Sequence, residues 1–353
     1  MRHSQRFRGA MALFLVSVLT LLSCTALAAQ KETQKEKDSK DAQKEKDSKG
    51  ETPQGTPVLW KEPTDIATRN LLLGPGGEEM KPDLSQVTFD GSEQGGYSVK
   101  WNVRDGSGKK WVAKLGREAQ PETVSLRLVW AAGYMTEVNY LIPCVHIVNA
   151  PKPPKDKSVE RCEKDGFANV RFKAKPKGEK NVGGWSWNDN PFKGTKEFQG
   201  FVVLMALLNN WDLKDENNKI FYVPGEGEGQ GELRYVVSDL GATFGKTGGP
   251  ITHSRNEPKN YIRTGFVEKV EGDRVRFDYH GKNQGLFDNI TVEQAKWIGD
   301  ILSQLTEQQI NDAFRAANYK PDEIEGLSQE VLARINELHR LNAPAAAGTS
   351  SGH

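Results

Sequence analysis

The tightest constraint on this chain is the run Asn209-Asn210-Trp211-Asp212-Leu213-Lys214-Asp215-Glu216-Asn217, followed downstream by Ser238-Asp239-Leu240-Gly241. It sets an Asn five positions after an Asp, with a Lys between them and a further Asp beyond. Such a set suits phosphoryl transfer. One Asp can orient an attacking hydroxyl, an Asn and a second Asp can hold Mg²⁺ on phosphate oxygens, and a Lys can steady the oxygens that remain. Local patterning supports the placement. Lys196 to Leu208 is apolar on nearly all faces from Phe201 onward and predicts a buried helix that delivers Asn209–Asn217 at its end. Leu233-Arg234-Tyr235-Val236-Val237 predicts a strand leading into Asp239.

A further element lies upstream. Tyr97 to Val103 and Lys110 to Leu115 alternate like half-buried strands, with Asp105-Gly106-Ser107-Gly108 as the hairpin turn between them. Lys114 closes the second of these, in Val112-Ala113-Lys114. Eight residues on, Glu122 opens a segment with apolar residues at helical spacing behind Pro121, and Glu118 stands nearby as a competing acid.

In this order the motifs resemble those of the protein-kinase-like superfamily, in an atypical secreted bacterial branch closer to toxin-type than to signalling kinases. Asp212 to Asn217 is similar to the D-L-K-x-x-N part of the catalytic loop, Asp239-Leu240-Gly241 to D-F-G, and Val112-Ala113-Lys114 to V-A-I-K. The resemblance implies an α+β, two-lobed protein-kinase-like fold, with a small β-rich N-lobe and a mainly helical C-lobe. It implies that Lys114 holds nucleotide phosphates and pairs with Glu122, and that Asn217 and Asp239 bind Mg²⁺ or Mn²⁺. Asp212 would position an acceptor hydroxyl beside Lys214, the substrate-facing lysine, and Gly95-Gly96-Tyr97-Ser98 would fold over ATP. Two features depart from the family pattern. The H-R-D triplet reads Asn210-Trp211-Asp212, which removes the usual partner of an activation-loop phosphate, and the full G-x-G-x-x-G pattern is absent. The Gly225–Gly231 stretch, Gly/Glu-rich, reads as a long hairpin loop.

The ends carry a different message. Residues 1–28 have the three parts of a secretory signal: Arg2, Arg6 and Arg8, then apolar Ala10–Leu22, then Ala26-Leu27-Ala28. Export to the periplasm or medium is expected. Leu21-Leu22-Ser23-Cys24 offers a rival, lipoprotein processing with acylation of Cys24, which is the one route to a membrane. Residues 29–57 are Lys, Glu, Asp, Gln and Ser with a direct repeat, Gln34–Lys40 recurring at Gln43–Lys49, and they read as a disordered linker. Residues 342–353 read as a frayed tail. Between them, 58–145 is expected as the N-lobe and 146–341 as the C-lobe, with an insertion near 150–195.

Formal net charge is +1, and no Lys/Arg face interleaved with aromatics occurs, so a nucleic-acid role lacks its electrostatic footprint. Lys152–Lys157 and Lys173–Lys180 read as solvated loops of the insertion. With Cys24 in the leader, Cys144 and Cys162 remain as a pair that an oxidising compartment would join. His146, His253 and His280 lack ligand spacing. The aromatic stretch Gly183 to Phe192 reads as packing over a loop, with carbohydrate or peptide binding as its functional alternative. Strands are expected around Gly272-Asp273, helices from Thr291 to about Gln304, from Thr306, and from Ser328 to Leu341. The expected function is an exported phosphotransferase moving the nucleotide γ-phosphate to a hydroxyl on a protein, glycan or small molecule. The alternative is a catalytically inactive kinase-like binding or scaffolding module of the cell envelope.

Overall fold

The computed structural model describes residues 53–342, apart from 94, 176–177, 226–229 and 250. The leader, Cys24, nearly all of the linker and nearly all of the tail lie outside the described residues. The strands are β1 (Gly55–Val58), β2 (Val87–Glu93), β3 (Val99–Arg104), β4 (Lys110–Leu115), β5 (Asn139–Val145), β6 (Ile147–Val148), β7 (Phe167–Ala174), β8 (Lys180–Gly183), β9 (Asn218–Val223), β10 (Gly231–Val237), β11 (Val267–Glu271) and β12 (Arg274–Phe277). The helices are α1 (Ala119–Ala131), α2 (Lys196–Leu207), α3 (Pro258–Arg263), α4 (Val292–Leu302), α5 (Glu307–Ala316) and α6 (Pro321–His339). A β-rich amino-terminal lobe and a mostly helical carboxy-terminal lobe result, the two-lobed α+β arrangement expected from the motifs.

The first lobe is a six-stranded sheet in the order β5-β7-β4-β3-β2-β6. Only His146 separates β5 from β6, yet these strands lie at opposite edges of the sheet. The sheet therefore curls enough for one short link to join its two edge strands, β6 pairing with β2 and β5 with β7. Trp101, Val103, Trp111, Ala113, Val170 and Phe172 fill the inside as one apolar cluster. Side chains alternate across a strand, so Lys100, Lys114 and Arg171, which are partners across β3, β4 and β7, stand on the opposite face. One sheet thus buries a dry core on one side and presents cations on the other.

Residues 167–174 correct the expectation of an insertion. Lys173 is not in a solvated loop but in β7, which pairs with both β4 and β5. The chain crosses between lobes after Ala174 rather than after residue 145, because β7 is central to the first sheet while β8 pairs with β9 in the second. Periodicity around Lys175–Lys180 is masked by charge, which is why the strand was not legible. The Cys144–Cys162 disulfide is present and ties β5 to the segment preceding β7. Gly166 lies against it, since a Cβ there would come 2.7 Å from Cys162 Sγ.

The second lobe packs α2 at its centre. Phe201, Val202, Val203, Leu204 and Met205 are fully buried in a single large cluster with residues from α1, α4, α5 and α6. Helices α4 and α5 both begin with capping boxes, Thr291 with Gln294 and Thr306 with Gln309. Helix α6 starts at Pro321, seven residues before the sequence expectation, because Pro is well accommodated at the first helical position. Likewise α1 begins at Ala119 rather than at Glu122, and Pro121 sits in its first turn, where its missing N–H costs nothing. Trp185 and Trp187 of the aromatic stretch are buried against each other and against Tyr235 and Phe201, so their role here is packing.

Candidate active site

Lys114 is 1 % exposed, and its Nζ lies 2.7 Å from Glu122 Oε2, 3.1 Å from Asp239 Oδ1 and 3.3 Å from Glu118 Oε2. Four sequence-expected groups therefore converge. Strand β4 brings the Lys, the first turns of α1 bring both Glu residues, and the residue pair after β10 brings the Asp. Burial alone would lower the pKa of Lys114, but Asp239, Glu122 and Glu118 together raise it above the ordinary lysine value, so the ammonium is kept charged. Glu118 and Glu122 both contact it. Glu122 has a second partner that sequence reasoning missed: Arg171 Nη1 donates to its Oε1 at 2.6 Å. Burial raises the pKa of Glu122, and Arg171 and Lys114 oppose that shift. Arg171 lies on β7, the strand hidden by the misread insertion.

Asp239 also accepts from the backbone N–H of Gly241 at 3.2 Å. Burial would raise its pKa, but Lys114 and Lys100 hold it below the usual carboxylate range. Lys100 is another residue that the sequence did not single out; it lies directly opposite Lys114 in the β3–β4 ladder. The Ser238 N–H donates to the Asn217 carbonyl at 2.8 Å, which staples the end of β10 to the run that follows α2. Asn217 Nδ2 in turn donates to the Asp212 carbonyl at 2.8 Å, so its Oδ1 remains as an acceptor. Asp239 and Asn217 are hard oxygen donors and fit Mg²⁺ or Mn²⁺ accompanied by phosphate. Among the described residues no cluster of three or more His, Cys, Asp or Glu could hold a metal. A cation here would thus take one carboxylate and one amide from the protein and its other ligands from phosphate and water.

Asp212 lies between two ammonium groups: Lys214 Nζ is 2.9 Å from Oδ2, and Lys282 Nζ is 3.2 Å from Oδ1. Its hydrogen bond with Asp212 is the main reason the pKa of Lys214 is raised. Both lysines are partly exposed. Lys282 comes from the loop after β12, and no motif marks it.

The backbone of the run is fixed from behind. Asn209 takes a left-handed conformation, φ 53°, and ends α2, with Asn209 and Asn210 N–H groups donating back to Ala206 and Met205 carbonyls. Arg334 of α6, 1 % exposed, donates to the Leu207 carbonyl at 3.0 Å and to Asn209 Oδ1 at 2.9 Å. Trp211 occupies the place of the missing Arg. Its Nε1 donates to the Ser254 carbonyl at 2.9 Å, and its ring stacks on His253 at 3.7 Å. A fixed aromatic clamp thus holds the segment after Gly241 without a phosphate.

The glycine stretch differs from expectation. Gly95 and Gly96 form an exposed turn with φ of 87° and 84°. Ser98, expected to face phosphate, is buried and donates its hydroxyl to Glu118 Oε2 at 2.7 Å. Glu118 is further paired with Arg255 from the segment beyond Gly241. The chain's only serine in that turn thus serves the ionic cluster, because Glu118 needs a donor more than the open turn does. Beside the cluster a cleft of about 400 Å³ opens between the lobes, lined by Val112, Ala174, Lys219, Phe221 and Ser238 among others. It runs from the middle of β4 to the residue before Asp239.

No protein-family model and no curated protein matches the chain. Among solved structures, a proinflammatory kinase of Helicobacter pylori, CtkA, is similar at 11 % identity and a TM-score of 0.40, over 71 % of this chain and 92 % of that one. The Golgi casein kinase is similar at 9 % identity and a TM-score of 0.36, over 79 % of this chain and 77 % of that one. The same kinase with Mn/ADP bound gives 9 % and 0.35 over the same shares. The residue roles above rest on the chain's own geometry.

Proposed function

We propose that the chain is an exported kinase-like phosphotransferase that moves the γ-phosphate of ATP to a hydroxyl. The observation that carries this reading is the gathering of Lys114, Glu122 and Asp239 into contact, with Ser238 and Asn217 linking that cluster to Asp212. Lys114 holds nucleotide phosphates, and Glu122, itself held by Arg171, sets its position. Asn217 and Asp239 hold the divalent cation, which when bound neutralises charge on the phosphates. Asp212 orients the acceptor hydroxyl and takes its proton as the oxygen bonds to phosphorus and ADP departs. Lys214 and Lys282 flank that carboxylate and present positive charge to the acceptor. The Cys144–Cys162 disulfide and the leader-like first 28 residues support an oxidising, exported location.

The test is a thermal-shift titration with ATP plus Mg²⁺ or Mn²⁺, followed by labelled-nucleotide incubation with envelope extract. Native-state ligands raise the melting temperature. A shift that disappears in Lys114→Met, with label transfer that disappears in Asp212→Asn, is the expected pair of results. Label transfer equal to wild type in Asp212→Asn removes Asp212 from the mechanism. A normal nucleotide shift with no transferred label in the unaltered chain favours the inactive binding module.

A further inference from the structure

Among the described residues three arginines are fully buried: Arg127, Arg171 and Arg334. Arg171 is paired with Glu122 and Arg334 with Glu330, as buried charges require. Arg127 has no carboxylate within 4 Å among the described residues. Its Nη1 donates to the Thr123 carbonyl and to Asn139 Oδ1, both at 3.1 Å, while Nη2 has only a 3.5 Å contact with the Asn139 carbonyl and Nε has no acceptor at all. Nε and Nη2 form one edge of the guanidinium, the edge that takes both oxygens of a carboxylate side by side. Asn139 Nδ2 beside it is also buried without an acceptor. Both unmet groups are donors, so what is lacking is an anion or another acceptor.

Arg127 lines a cleft of about 420 Å³ whose walls are Leu72, Leu73, Leu84, Leu141 and Ile142. Leu72 and Leu84 are 47 % and 46 % exposed, which is unusual for large apolar side chains on a wall. The other charges on the lining are already answered, Glu78 by Lys81 and Arg315 by Asp312. Gly74 leaves room beside the cation, since a Cβ there would stand 3.4 to 3.5 Å from Cζ, Nε and Nη2. Burial pushes the Arg127 pKa down to about 10, the direction expected for a cation without a counter-charge.

We propose that this cleft, bounded by the 72–84 segment, β5 and the end of α5, binds a monocarboxylate with an apolar tail, its carboxylate on the Nε/Nη2 edge of Arg127. The tail lies against the leucines. The charge fits because one guanidinium neutralises one carboxylate, and the apolar walls offer nothing to a tailless polyanion. Arg127 stands on α1, the helix that carries Glu118 and Glu122, so an occupant would brace that helix; this last clause alone rests on the proposed function.

Calorimetric titration of the full chain with sodium octanoate tests the site, with octanamide as the neutral probe and inorganic phosphate as the tailless anion. Octanoate should bind saturably at one site, and the two controls about tenfold more weakly or worse. Arg127→Gln should weaken octanoate by about tenfold or more. Because that variant touches a buried network, Leu84→Asp on the exposed rim supplies an independent arm, with the same loss and an unchanged unfolding midpoint. Octanoate bound no better than octanamide, or bound equally by both variants, overturns the proposal, as does the absence of saturable binding.

Discussion

The two ends of the candidate cleft are built on opposite principles. At the buried end, Lys114, Glu122 and Arg171 are 3 % exposed or less and form a chain of opposed charges, with Asp239 joining from the side. At the open end, Asp212 stands between two lysines that are 38 % and 52 % exposed. Charges withdrawn from water have only each other, so removing one strands its partner. Charges left in water are screened and replaceable. The first end should therefore fail in folding and binding together, and the second in chemistry alone.

The largest expected effect is at the buried end. Arg171→Met should destabilise the chain by about 3–5 kcal/mol in urea unfolding, because it leaves Glu122 buried against a single cation. Pairing it with Glu122→Leu should restore part of that loss. A pair no more stable than Arg171→Met alone would break the comparison. At the other end, Asp212→Asn should lower turnover by about 10²–10⁴-fold while unfolding shifts by less than about 1 kcal/mol. Destabilisation as large as that of Arg171→Met would show that Asp212 is structural.

Reducing the Cys144–Cys162 bridge, whose ends are 18 residues apart, should cost about 3 kcal/mol in the chain-entropy model and leave the Asp212 end unaltered. Unfolding midpoints with and without reductant measure it. The pH dependence sharpens the contrast further. The folded-state pKa of Asp239 is depressed: burial opposes this, and Lys114 and Lys100 prevail. Its contribution is thus complete above the unfolded carboxylate value of about 3.9 and is lost as pH falls below it. Urea midpoints from pH 6 to pH 3 should fall less steeply in Asp239→Asn than in the parent chain. Parallel curves would remove Asp239 from the buried network. The smallest effect belongs to Lys282→Ala, about 0.2–1 kcal/mol in stability, with its main consequence a raised KM for an anionic acceptor in steady-state assays.

Legibility followed the same division. Lys114, Glu122, Asp212, Asn217 and Asp239 were named from motif spacing and resemblance, and folding brings Lys114, Glu122 and Asp239 into contact and Asn217 onto the Asp212 carbonyl. The capping boxes at Thr291 and Thr306 were equally local. Arg171, Lys282 and Arg334 were not found. Each reaches the site from an element remote in sequence, and an isolated Arg or Lys leaves no periodic trace. Ser98 was assigned to phosphate because the turn before β3 resembles a phosphate loop, but its hydroxyl donates to Glu118, which Lys114 and Arg255 also hold. Strand β7 was hidden because its flanking lysines resemble a solvated run, while the residues that identify it as buried, Val170 and Phe172, are only two positions apart.

The order of amino acids by itself marked the strands flanking residues 105–108, the helix leading to Asn209, the capped helices after Thr291 and Thr306 and which side chains could do chemistry, because those choices depend on neighbours a few residues away. The strand order of the six-stranded sheet, the pairing of Glu122 with both Lys114 and Arg171, and the isolation of Arg127 were decided only when distant segments met. The reason is electrostatic: a charge acquires its partner, or lacks one, only after folding has removed the water that would otherwise have served every one of them alike.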